Sequence, residues 1–352
     1  MILVSHTLNP AGFVPQTFHT LSVQGRNLGG LQSCTTRRDE MKTLKLRIVA
    51  LLALLPLTTG AVFADSEYGY SRMFVFGASF LDSGNNFAVT GETAHPPFDP
   101  TSFTSYGIGG HHYSNGRTWV EVMAQEMDLT DWAKPAYRDP AFGNYAYGYA
   151  RARDVDYATG PSFGEQVQAW YDNGFCTGAA MSDTLFVVDT SYADFADILA
   201  GGDPVEVLGG MLDSIATNIG MLYGCGARHL LVANAPPLGI SPMVPGELKD
   251  TATGLTWQYN VYVQDILNFF AGEPFNMNIS TFDVFAFMTA MITTKEAFGL
   301  TNVTETCVTF GVLRGAYCKN RDEYFFWDSL HPTKVVHALM AEEALGQLPV
   351  PE

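Results

Sequence analysis

The sequence predicts an α/β fold, a three-layer α/β/α sandwich with a central parallel sheet, on three observations. Short apolar runs alternate with amphipathic stretches, the runs are long enough for buried strands, and no Pro/Gly/Ser linker, internal repeat or low-complexity block interrupts them. Strands separated by helices pair in parallel and bury both faces of the sheet.

In chain order, MFVFG (73–77), TLFVV (184–188), HLLVAN (229–234) and the segment around ISTFDVF (279–285) read as strands. WVEVMAQEM (119–127), FADILA (195–200) followed by VLGGMLDSIATNIGMLY (207–223), and QYNVYVQDILNFF (258–270) read as helices. In such a sheet, sites form beyond the carboxyl ends of the strands. FGASFLDSGNN follows the first strand and VVDTSYADF continues the second, so both fall where chemistry is expected. The Pro-, Gly- and His-containing stretch from Thr90 to Tyr113 reads as a long loop able to cover a site.

The N-terminal part stands outside this pattern. Met41 to Ala64 has Lys42, Lys45 and Arg47 ahead of an apolar run from Ile48 to Leu57 and ends in small residues, the layout of a secretory signal peptide. The apolar run is too short for a permanent membrane span. Residues 1–40 then read as an over-long predicted start, 41–64 as the signal, and 65–352 as one domain, secreted or periplasmic. That domain carries 13 Lys+Arg against 34 Asp+Glu, a net charge of about −21, which argues against nucleic acid and anionic membranes as partners. A monomer is expected.

Cys34 precedes the signal, leaving Cys176, Cys225, Cys307 and Cys318, an even number suited to disulfides. Three pairings are open; Cys307 with Cys318, which flank a short loop, is the first choice. No C-x-x-C or His-rich spacing supports zinc, and no cofactor is implied.

Ser79 lies in Gly77-Ala78-Ser79-Phe80-Leu81-Asp82-Ser83-Gly84-Asn85-Asn86, where Gly and Asn permit a tight strand-to-helix turn. Alone, such a serine is more often a helix cap than a nucleophile. Near the other end, Asp328 and His331 stand three apart in Phe326-Trp327-Asp328-Ser329-Leu330-His331-Pro332-Thr333. That spacing lets Asp328 accept from one ring nitrogen of His331 and leaves the other to deprotonate Ser79. A capping Asp and a surface His is the bland alternative. Asp82 reads as a turn residue, His337 as packed on a terminal helix, His229 as structural, and His111 and His112 as loop residues without further metal ligands. Asn278 and Asn302 head glycosylation sequons, relevant only in a eukaryotic host.

GASFLDSGNN, SNGRTWVEVMAQEM (114–127), GNYAYGYARARD (143–154), PPLGISP (236–242), AFGLTNVTETC (297–307) and FWDSLHPT appear in order from Met73 to about Leu345. Together they resemble the GDSL, or SGNH, family of lipases and esterases. The resemblance implies an SGNH-hydrolase-like fold of flavodoxin-like topology. It implies Ser79 as nucleophile, Asp328 as orienting carboxylate and His331 as base, with the backbone N–H groups of Ser79 and Gly148 holding the oxyanion. An Asn side chain expected as a third donor is replaced by Ala193, and Ala78 replaces the Asp of Gly-Asp-Ser. Losing one such donor costs about 10² to 10³ in turnover, so a slower enzyme is expected. Asp194 would repel an oxyanion, whereas Ser191 or Tyr192 could donate a hydroxyl.

The ordinary α/β-hydrolase elbow, G-x-S-x-G, is disfavoured by Leu81 at the second glycine. Two rivals to an exported ester hydrolase stand: a degenerate member that binds lipid or carbohydrate without turnover, suggested by Ala78 and Ala193, and an acyltransferase. The substrate is a small-molecule, lipid or carbohydrate ester, and fold does not choose among these. Phe98, Phe103, Tyr106 and Tyr113 of the long loop form either an aromatic rim or anchors into the core.

Overall fold

β1 (Arg72–Phe76), β2 (Met181–Asp189), β3 (Ala227–Ala233) and β4 (Asn278–Phe282) form a parallel sheet in the order β1-β2-β3-β4. The computed structural model describes residues 68–349 except 92–94, 101, 103, 108–109, 157, 159 and 191–192. The expected leader at 41–64, the extension before it, Cys34, Phe103, Ser191 and Tyr192 therefore lie outside the described residues.

On its free edge β1 meets an extended segment. Val75 N–H donates to Gly143 O at 2.9 Å, Tyr145 N–H to Val75 O at 2.8 Å and Tyr147 N–H to Gly77 O at 3.2 Å. Counted as the second strand in chain order, this segment gives the order 2-1-3-4-5, the flavodoxin-like arrangement. Alternation along each strand splits its side chains between two cores. Phe74, Phe76, Phe186, Val188, Leu230 and Val232 face one; Met73, Val75, Leu185, Val187, Leu231 and Ala233 face the other. Both faces of these strands are apolar because both are covered.

The first core is closed by α3 (Phe163–Trp170), α5 (Pro204–Cys225) and α6 (Lys249–Ala271), the second by α2 (Trp119–Glu126), α7 (Val284–Thr293) and α8 (Lys334–Gly346). The two sides make the three layers, and the short α1 (Asn85–Thr90) and α4 (Phe195–Leu199) follow β1 and β2 in the chain. α5 starts where the sequence signals it, with Asp203 accepting from Val205 N–H and Pro204 in the first turn, and ends at Gly226 in the left-handed region, φ 115°. Where a strand was expected to run to Phe285, β4 stops at Phe282. Asp283 accepts from Ala286 N–H and caps α7, so Val284 and Phe285 are helical.

Among the described residues there are two disulfides, the expected Cys307–Cys318 and with it Cys176–Cys225, which ties the end of α5 to the chain before β2. Cys307–Cys318 closes the loop between β5 (Asn302–Thr306) and β6 (Tyr324–Phe326), a second, two-stranded parallel sheet. Among the described residues no helix is long and apolar enough to cross a membrane, and no cluster of three His, Cys, Asp or Glu could hold a metal ion.

Candidate active site

Ser79 leaves the end of β1 through a turn that only a glycine allows. Gly77 has φ +154°, and a Cβ there would stand 2.7 Å from the Cβ of Asp189 at the end of β2. The buried Gln166 side chain fixes this turn from both sides, accepting from Gly77 N–H at 2.9 Å and donating to Gly77 O at 3.0 Å. Beyond Ser79, the Asp82 carboxylate accepts four backbone N–H groups, from Gly84 and Asn85 on one oxygen and Asn86 and Gly148 on the other. Burial pushes its carboxyl up, and these four donors pull it back. Asn85 donates to Asn144 O and Ala146 O, and Asn144 donates to Leu81 O, so the serine loop is stitched to the segment on the free edge of β1. Asp82 is the turn residue the sequence suggested.

At the other end of the chain, a hydrogen bond from Trp327 N–H to His331 O at 2.8 Å closes the loop that carries Asp328 and His331. His331 Nδ1 lies 2.9 and 3.0 Å from the two Asp328 oxygens, and its Nε2 lies 2.7 Å from Ser79 Oγ. A carboxylate only accepts, so Nδ1 carries the proton and Nε2 accepts from the serine hydroxyl. Asp328 and His331 are almost wholly buried, 0% and 1% exposed, while Ser79 is half-buried. Asp328 also accepts from Leu330 and His331 N–H through one oxygen and from Ser105 N–H, at 2.9 Å, through the other. Three residues from opposite ends of the chain thus form one hydrogen-bonded line.

The loop from Thr90 to Tyr113 is clamped onto this line. Trp327 Nε1 donates to Ser105 O, Ser114 Oγ to Pro332 O, and the Tyr113 ring stacks on the His331 imidazole with centroids 5.0 Å apart and planes inclined by 23°. Phe98, Tyr106 and Tyr113 are buried, so their aromatic character anchors the loop and does not form a rim. Tyr113 OH accepts from Asn86 Nδ2 and is 3.0 Å from Tyr106 OH. Sequence reading missed Ser105 and Tyr113 as supports of the Asp328–His331 pair. Tyr113 directly precedes the SNGR motif, the one local signal that could have marked it.

The oxyanion side departs from expectation. Gly148 N–H, expected to face the oxyanion, is donated to Asp82 at 2.8 Å. Gly148 is a glycine because Tyr113 lies against it: a Cβ there would meet the tyrosine Cε2 at 2.3 Å. Ala193 and Ser79 both line a cavity of about 790 Å³. The Ala193 N–H donates to Ala150 O, so the backbone at this position is held. Asp194 is buried elsewhere, accepting from Ala152 N–H and paired with Arg153, and cannot act on an oxyanion.

His337 and His229 follow their structural readings. His337 is buried on α8, accepts from Trp119 N–H through Nδ1, and is pushed down to about 3 by burial, with smaller contributions from His331 and His112. His112 pairs with Glu121 at 2.8 Å, and His229 packs edge-on against Tyr70.

A family model described as GDSL-like Lipase/Acylhydrolase matches residues 73–344. GDSL esterase/lipase At2g23540 of Arabidopsis thaliana is 25% identical over 333 residues, covering 79% of this chain and 84% of that one. GDSL esterase/lipase At1g71691 of the same plant is 25% identical over 325 residues, covering 78% and 81%. Among solved structures, a variant of an acetyl xylan esterase from Geobacillus stearothermophilus superposes with a TM-score of 0.43 at 14% identity, over 81% of this chain and 98% of the other. The family model spans both ends of the Ser79–His331–Asp328 line and all four strands of the main sheet, and the chain belongs to the GDSL-like lipase/acylhydrolase family.

Proposed function

We propose that this carboxylic ester hydrolase works through an acyl-enzyme on Ser79, with His331 as general base and Asp328 as the carboxylate that orients it. The 2.7 Å contact between His331 Nε2 and Ser79 Oγ, backed by the Nδ1–Asp328 contact at 2.9 Å, carries the proposal. As Oγ attacks the ester carbonyl carbon, its proton passes to Nε2. Asp328, already accepting from Nδ1–H, stabilises the imidazolium that forms. Collapse of the tetrahedral intermediate breaks the bond to the alkoxide, which leaves with the proton from Nε2. Water then attacks the acyl carbon, giving its proton to Nε2, and Oγ leaves with that proton. The Ser79 N–H is the backbone donor assigned to the oxyanion. Gly148 N–H is committed to Asp82 and Ala193 has no polar side chain.

The connected line favours turnover over a degenerate, purely binding role. A binder has no need of a serine hydroxyl held 2.7 Å from an imidazole that is itself held by a buried carboxylate. A fluorophosphonate probe tests this directly. The folded wild-type protein should be labelled at Ser79 and Ser79→Ala should not; an unlabelled wild type would refute the proposal. Export is supported by the signal-like stretch at 41–64 and by the two disulfides, which persist in oxidising compartments. A working monomer is proposed with it.

A further inference from the structure

We infer that the cavity beside Ser79 is an acyl-chain site, and that the enzyme prefers esters of medium to long unbranched fatty acids over acetyl esters. The inference rests on the acyl-enzyme reading of Ser79. The cavity measures about 790 Å³, and its walls include Phe195, Leu199, Leu238, Met243, Leu248 and Leu330. The hydroxyls on its lining belong to Ser79, Ser102, Thr104, Tyr149 and Thr256. Of these, Thr104 and Tyr149 contact each other through their side-chain oxygens, and Thr256 donates to the carbonyls of Ala252 and Thr253 on its own helix. A polyhydroxylated group inserted here would lose water without gaining matching partners, whereas a polymethylene chain loses nothing by leaving water. An acetyl group would leave most of the volume unfilled.

The placement of the cavity assigns it to the acyl rather than the alcohol side. The departing alkoxide must take its proton from His331 Nε2, so the alcohol lies toward the imidazole. His331 is 1% exposed and covered by Tyr113 and Phe80. The cavity reaches Phe80 and Leu330 beside the imidazole at one wall, but most of its lining comes from Ala193, where the oxyanion donor was expected, from α4 (Phe195–Leu199) and from the segment 236–248. The group that stays bonded to Ser79 through both half-reactions is the acyl group, and this is the enclosure beside that bond.

The test pairs two esters that place the same chain on opposite sides of the carbonyl, methyl octanoate and octyl acetate, with methyl butyrate as reference, each followed by acid release. Methyl octanoate is expected to exceed methyl butyrate by roughly tenfold or more in kcat/KM, a conservative fraction of the about fourfold per methylene expected for burial in an apolar site. Octyl acetate should gain no such advantage. Ala196→Trp, which places an indole in the cavity from its exposed position on α4, should lower the octanoate-to-butyrate ratio, and Leu199→Gln should lower it through a polar wall. Unchanged melting temperatures would show that both variants fold. A preference for butyrate or acetate esters in a protein that still labels with fluorophosphonate at Ser79 overturns the acyl site and leaves the hydrolase. A preference for octyl acetate moves the chain to the alcohol side and overturns it equally. Absence of both labelling and hydrolysis refutes the acyl-enzyme reading, and the acyl site falls with it.

Discussion

Ala193→Asn should make this enzyme faster. Position 193 lines the cavity beside Ser79, and its backbone is fixed by Ala193 N–H to Ala150 O at 3.0 Å and by Ala193 O accepting from Ala196 N–H at 3.0 Å and from the Arg151 guanidinium at 3.3 Å. A longer side chain at 193 therefore projects from a held backbone into open volume, so an amide can enter without rebuilding the loop. Removing one oxyanion donor from a hydrolase costs about 10² to 10³ in kcat, or about 2.7 to 4 kcal/mol. With Gly148 N–H committed to Asp82, the starting site is short of donors and has that much to regain. A side chain not tuned to this pocket should recover part of it, a rise of about tenfold or more in kcat on nitrophenyl butyrate, with KM little changed because the donor acts on charge that develops only in the transition state. Ala193→Asp, of the same size but anionic, should slow turnover below wild type, and Ala193→Leu should add bulk without a donor. If kcat for Ala193→Asn stays within twofold of wild type while the variant folds normally, a missing side-chain donor is not what limits the reaction, and the comparison between Ala193 and the family's Asn carries no functional weight.

Asp328→Asn should lower kcat by about 10³ to 10⁴, because an amide NH₂ toward Nδ1 forces the wrong tautomer on His331. The carboxylate accepts Leu330 and His331 N–H on one oxygen and Ser105 N–H on the other, so the amide also leaves a buried donor unpaired, costing about 1 to 3 kcal/mol in urea unfolding. Retention of a tenth of the activity would contradict this. His337, held down to about 3 when folded and near 6.5 when exposed, takes up its proton in the unfolded chain first. Its contribution is complete above about pH 6.5 and is lost as pH falls towards 3, at up to about 1.4 kcal/mol per pH unit. His337→Gln, which retains an acceptor for Trp119 N–H, should flatten the stability difference between pH 6 and pH 4 relative to wild type; parallel curves would count against it. Opening Cys176–Cys225, with a separation of 49, should cost about 4 kcal/mol and Cys307–Cys318, with 11, about 3 kcal/mol on the chain-entropy argument. Cys176→Ser that melts no lower than Cys307→Ser would contradict that ordering.

The sheet, the layers and the three residues proposed to react were legible in the residue pattern. Strands buried on both faces are written as continuous apolar runs, so β1, β2 and β3 were legible within a few residues. Local chemistry also marked the Gly77 turn and the three-residue spacing of Asp328 and His331. The end of β4 was misread because an apolar run looks alike in a strand and a helix, and the deciding signal was a single cap at Asp283. What surrounds the Ser79–His331–Asp328 line came from packing alone, since contacts more than 200 residues apart in sequence leave no periodicity to read. Packing placed Ser105 on Asp328 and Tyr113 on His331, and put Phe98, Tyr106 and Tyr113 inside. It also turned Gly148 toward Asp82, because a backbone N–H points where the chain is packed and not where a motif suggests. Residue types marked the groups proposed to react; packing fixed which donors remain beside them.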